Sequence, residues 1–236
     1  MTAIFKRELS SYFTSTLGYI FMAVFLAVSG AVVWFTGLFQ GTAALGNYFF
    51  IMIFFFIILI PILTMKLLSE ERRSRTDQLL LTSPVSLFGI VTGKFLAAFV
   101  LFEITFVVSF VNFIPLGLYS KGGLHTAEII SNFVGISCLA AALISLGIFI
   151  SGLTESQFVA AIASIAAIFA TLIMGIVSAS ISNDFLRTFV KWFSLLDRYV
   201  NFRYGLFDTA AVIYYLSLTL IFLFLSVRVL EKRRWA

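Results

Sequence analysis

Long apolar runs separated by short polar breaks dominate the chain, and six of them reach the roughly 20 residues that a membrane-crossing helix requires. They cover about 17–38, 47–67, 94–118, 127–151, 157–180 and 210–230. Ahead of them, residues 1–16 set Phe5, Leu9, Tyr12 and Phe13 at helical spacing, with Lys6, Arg7, Glu8, Ser10 and Ser11 elsewhere around the turn. That pattern predicts an amphipathic helix lying in the membrane interface. A cleavable leader is the competing reading, because Ala27-Val28-Ser29 resembles a cleavage site. The apolar stretch nevertheless runs on to about Leu38, longer than the core of such a leader.

The breaks differ in character. Residues 39–46 form a short uncharged hairpin and residues 152–156 a tight turn, whereas 68–93 and 181–209 are neither spans nor simple turns. In the first, a charged run over 69–78 passes to Leu79, Leu80 and Leu81, a Ser83-Pro84 break, and a second short helix with Ser83 as its expected N-cap. The leucines in that polar setting offer an apolar knob for a partner protein. On charge alone, the stretch reads as a solvated loop. In the second, Phe185, Phe189, Trp192, Phe193 and Leu196 recur at helical spacing, which predicts an amphipathic helix at the outer face. A plain aromatic anchor explains the same pattern.

Composition supports the bilayer and narrows the chemistry. Of 236 residues, 61% are hydrophobic and 11% charged, so the six spans with their short loops leave no room for a separate soluble catalytic domain. The net charge of +5 reads as a topology signal rather than a nucleic-acid footprint. With both termini cytoplasmic, only Lys121, Arg187, Lys191, Arg198 and Arg203 of the 16 Lys and Arg fall outside, which favours that orientation. One cysteine, Cys138, and one histidine, His125, supply neither a disulfide nor a metal or haem site. The stretch Gly89–Lys94 lacks the spacing of an ATP-binding loop, and no hydrolase motif is present, so the chain is expected to be neither an ATPase nor another enzyme and to hold no cofactor.

Inside the spans, Glu103 falls about 14 Å beyond Lys94 along a helix, near the bilayer midplane. An ionisable group at that depth costs about 2.5–3.5 kcal/mol to bury and is a candidate for a translocation path, as is Asn112. A hydrogen-bonded Glu103 that pins helix packing is the plainer reading. Pro115 predicts a bend. The fifth span is rich in alanine, glycine and serine around its circumference and is expected at the centre of the bundle. The phenylalanines of the second span read as lipid-facing, with an apolar path lined by them as the other reading of the same composition.

The run E-E-R-R-S-R-T-D-Q-L-L-L-T-S-P-V-S…G-K, together with the start K-R-E-L-S-S-Y-F-T-S-T-L-G-Y-I, resembles the type-2 ABC exporter permeases, and most closely the gliding-motility permeases. Thr16 departs from the proline of many relatives. The resemblance covers essentially the whole chain and implies one all-α, polytopic transmembrane domain over 1–236. It would have six transmembrane helices, an interfacial helix at 1–16, a cytoplasmic coupling hairpin at 68–93, and short outer helices within 181–209. It further implies that Glu70, Glu71, Arg72, Arg73, Arg75, Thr76, Asp77, Leu79 and Leu80 dock on a cytosolic ABC ATPase that binds ATP and Mg.

The implied partners are those ATPase subunits and a second permease copy or related permease, with room for an accessory subunit carrying an outer domain. No nucleic acid is expected. The implied location is the bacterial cytoplasmic membrane. Two other readings stand beside it: a secondary transporter or channel working through Glu103, and a membrane anchor for a larger machine.

Overall fold

The computed structural model describes residues 2–38, 45–74, 86–119 and 126–234, and these residues hold helices and no strands. Six helices are long and apolar enough to cross a membrane: Thr16–Gly37, Leu45–Arg73, Leu87–Leu118, Thr126–Leu153, Gln157–Gly175 and Thr209–Arg233. The chain is therefore a multi-pass membrane protein.

The first helix, α1 (Thr2–Thr14), is separate from the first span, α2 (Thr16–Val33), and the two join at Ser15, whose backbone is extended. The bend is tight enough that a Cβ on Gly18 would run into the backbone carbonyl of Tyr12. Tyr12 in turn donates its hydroxyl to the Leu63 carbonyl at 2.9 Å, fixing α1 against the end of α3 (Leu45–Thr64). Beyond α3 the chain turns and resumes as the short α4 (Ser69–Arg73).

The third span starts earlier than its hydropathy predicts. Helix α5 runs Leu87–Ser109, and Ser86 caps it by accepting from the Gly89 amide at 3.2 Å. The expected cap at Ser83 and the break at Pro84 lie outside the described residues. The early start puts Lys94 two turns inside the helix with 1% of its side chain exposed, not at a membrane edge. Near its far end this span tightens into a 3-10 turn at Phe110–Asn112 and continues as α6 (Phe113–Tyr119), which contains Pro115. The departure from α-helical geometry falls just ahead of Pro115, at Phe110–Asn112. Packed beside it, α2 ends in a π-helical turn, Trp34–Leu38, where Gly37 meets Leu116.

The fourth span, α7 (Thr126–Leu153), is the centre of the bundle, with 72% of its most apolar window buried against 22% for the fifth, α8 (Gln157–Ala179). This corrects the expectation for the fifth span. Phe158, Ile162 and Phe169 of α8 point outward, as do Ala163, Ala166 and Ala170, whereas Ala160, Ser164 and Ser178 are buried within the chain and Gly175 lies against Ser194. Gly147 of α7 sits against Thr64 of α3, which supplies the small side chain that the central position needs.

The second span is also corrected in part. Phe54 and Phe55 face outward, but Phe49 and Phe56 are fully buried: Phe49 packs edge-on with Phe106, and Phe56 packs edge-on with Phe102 and stacks on Phe25, across three spans.

The 181–209 stretch forms two short helices, as the resemblance implies, α9 (Asp184–Trp192) and α10 (Leu195–Arg203), where the apolar periodicity alone predicts one. The break falls at Ser194, whose hydroxyl accepts from the Asp197 amide at 3.3 Å and starts a new helix. Leu196 is consequently buried, while Phe185, Phe189, Trp192 and Phe193 are exposed. The last span, α11 (Thr209–Arg234), packs along α7.

Candidate functional site

The docking candidates that are described sit on α4, and they divide by direction. Glu70 and Arg73 face outward. Glu71 and Arg72 turn back into the molecule. Arg72 Nε lies 2.8 Å from Glu155 Oε1, and its guanidinium also donates to the Leu153 carbonyl at 2.9 Å. Arg72 thus clamps α4 onto the turn between the fourth and fifth spans. Ser151 reinforces the clamp: its Oγ accepts from the amides of Leu68 and Ser69, at 3.2 and 3.1 Å, and donates to the Met65 carbonyl. Arg233 of the last span donates to the Gly152 carbonyl. The remaining candidates, Arg75, Thr76, Asp77, Leu79 and Leu80, lie outside the described residues.

Glu71 takes part in a four-residue charge cluster. Its Oε1 is 2.8 Å from Lys94 Nζ and 3.1 Å from the Arg7 guanidinium. Glu8 Oε1 is 3.2 Å from Lys94 Nζ and 2.6 Å from Arg7. Three elements distant in the chain therefore meet at one buried ammonium: α1, the short α4 that opens the 68–93 stretch, and the third span. Burial pushes the Glu8 carboxyl up, but the charge of Lys94 and the donors of Arg7 outweigh it and hold it below its ordinary value. Arg7 is held above its ordinary value, first by its bond to Glu8.

The cluster has a structural reason. A lysine enclosed two turns inside an apolar helix is tolerated only when paired and hydrogen-bonded, and two carboxylates meet that requirement. Only the early start of α5 reveals it. Read as a membrane-edge charge, Lys94 needs no partner. A lysine preceded by the helix-compatible run Leu87–Gly93 is the sequence signal that would have found it.

Glu103 and Asn112 lie on the same span, and the structure does not bring them together. Glu103 falls midway along the 32-residue span Leu87–Leu118, as expected. It is half-buried and faces Ser137 and Cys138 of α7. Its Oε1 and the Ser137 hydroxyl are enclosed, and neither has a hydrogen-bond partner among the described residues. Asn112 instead donates to Ser29 Oγ at 2.9 Å, and Ser29 shares a 2.8 Å hydrogen bond with the buried Tyr48. This chain joins the first three spans where the first and third leave α-helical geometry.

The model of the family described as ABC-2 family transporter protein matches residues 11–235. The match begins inside α1, past Arg7 and Glu8, and runs across all six spans. Comparison with curated proteins gives no match.

Proposed function

The chain belongs to the ABC-2 transporter family, and from that premise we propose that it is the permease subunit through which a separate cytosolic ATPase drives export. ATP and Mg bind to that partner. Both termini face the cytoplasm, and the stretch that begins at Glu70 docks on the ATPase. Glu70 and Arg73 form its described docking face, and Glu71 carries its movement inward. The observation that carries this reading is Lys94, buried in the third span and bound at once to Glu71 on the docking stretch and Glu8 on α1. A push on α4 is thereby delivered to a span and to the interfacial helix together.

The outward face of the fifth span, with Ala163, Ala166 and Ala170, supports a second permease copy against it and a path between the two copies. Within the family, the E-E-R-R-S-R-T-D-Q-L-L-L-T-S-P run supports a likeness to the gliding-motility permeases.

Proteoliposomes that hold the chain and its ATPase test the reading. Glu71→Gln should uncouple ATP hydrolysis from transport while both proteins remain assembled. Full coupling in that variant removes the proposed route.

A gradient-driven transporter is the second reading, favoured by the enclosed, unbonded Glu103 Oε1 at the midplane. It requires flux without ATP and loss of that flux in Glu103→Gln, whereas the ATPase-driven permease requires ATP for any flux.

A further inference from the structure

At the end of the bundle that carries the termini, a cleft of about 490 Å³ opens between α1 and the end of the second span, a volume within the range of small-molecule sites. Its charged lining is balanced: Arg7, Lys66 and Lys94 against Glu8, Glu70 and Glu71. Four of these six satisfy one another in the cluster around Lys94. Lys66 and Glu70 do not. Neither side chain makes an ion pair or hydrogen bond among the described residues, although the two are one helical turn apart and the Glu70 amide bonds the Lys66 carbonyl. A cation and an anion are thus left uncommitted on the wall of one cleft.

Three further features define what fits between them. Ser11 offers a hydroxyl with no hydrogen-bond partner among the described residues, from the α1 side. Leu17 and the buried Leu67 make the wall apolar on the side where the first span begins. The balanced charge disfavours a simple anion, since a lone phosphate drawn to Lys66 would face the Glu70 carboxylate. A ligand with a phosphate, an ammonium group and an apolar tail answers all of these at once.

We propose that this cleft seats the headgroup of a zwitterionic phospholipid from the adjacent leaflet. Lys66 Nζ and the Ser11 hydroxyl donate to the phosphate, the ammonium group donates to Glu70, and the glycerol passes over Leu17 toward the acyl region beside the first span. The bound lipid wedges α1 against the second span, next to the Lys94 cluster. The proposal does not depend on ATPase coupling.

Native mass spectrometry of the full chain in non-ionic detergent tests it, with phosphatidylethanolamine, phosphatidylglycerol or soluble phosphoethanolamine added separately. About one phosphatidylethanolamine per chain should be retained in preference to phosphatidylglycerol. Lys66→Glu and Glu70→Lys should each weaken retention by about tenfold, the loss expected for one charge-assisted contact. Both variants should keep the wild-type Tm, because neither side chain has a partner among the described residues. Equal retention of the two lipids, or undiminished retention in both folded variants, overturns the proposal. Displacement of the lipid by an equal concentration of phosphoethanolamine assigns the site to a soluble phosphoester and overturns the lipid source. Because the ATPase is absent from the measurement, failure here leaves the permease reading intact.

Discussion

Lys94 Nζ sits 2.8 Å from Glu71 Oε1, so a cation inside the third span is bound to the segment that leads into the proposed docking stretch. Lys94→Met keeps the apolar stem and removes the charge, leaving Glu71 and Glu8 facing each other with Arg7 as their only described cation. Breaking a buried pair by deleting one partner costs about 3–5 kcal/mol. The variant should unfold at clearly lower temperature in detergent and, when assembled, should fail to stimulate its ATPase. A wild-type Tm would show that the cluster does not hold α1, α4 and the third span together.

Arginines 72 and 73, adjacent in the chain, should behave differently. Arg72→Glu places a carboxylate against Glu155 and removes the donor to Leu153, so it should lower Tm. Arg73→Glu changes only an outward group. It should leave stability within about 0.5 kcal/mol of the wild type while reducing co-purification of the ATPase. Equal effects of the two changes on Tm would contradict the division between inward and outward faces.

Acid should loosen the same cluster. The Glu8 carboxyl is held below its ordinary value, so its contribution is complete above the unfolded carboxylate value of about 4.3 and is lost as pH falls through the lower folded value. Wild-type Tm should therefore drop on acidification from about pH 5, and Glu8→Gln should show a shallower slope over that range. Parallel Tm-against-pH curves for the two proteins would mean that Glu8 is not held below its ordinary value.

Gly18→Ala should separate α1 from the first span. The new Cβ meets the backbone carbonyl of Tyr12, which cannot rotate away, so the bend at Ser15 must open. The expected cost is about 1–3 kcal/mol, and a crosslink between cysteines placed at positions 12 and 63 should be lost. An unchanged crosslink yield would show that α1 tolerates the extra carbon.

The six spans were legible because hydropathy over about 20 residues reports burial in lipid directly. Their arrangement was not. The small residues of α8 record that something packs closely, without recording whether the neighbour is α7 or another chain. The phenylalanines of α3 carry the same hydropathy whether they face lipid, as Phe54 and Phe55 do, or the interior, as Phe49 and Phe56 do. Lys94 was visible but misread, because a charge at a presumed span edge needs no partner. Glu8 was visible only as the polar side of an amphipathic helix. Their meeting depends on α1 folding back along α5, a tertiary contact with no local signature. Ser194 likewise ended α9 by a capping bond that the apolar periodicity through Leu196 concealed.

The central claim is that a separate ATPase drives this permease. Mild-detergent purification of the tagged chain from its native membranes, followed by an ATPase assay and mass spectrometry of the eluate, tests it most directly. The account predicts a stoichiometric cytosolic ATPase subunit, with activity that travels with the complex. An intact, folded oligomer that carries no ATPase and moves substrate on an ion gradient alone would contradict it.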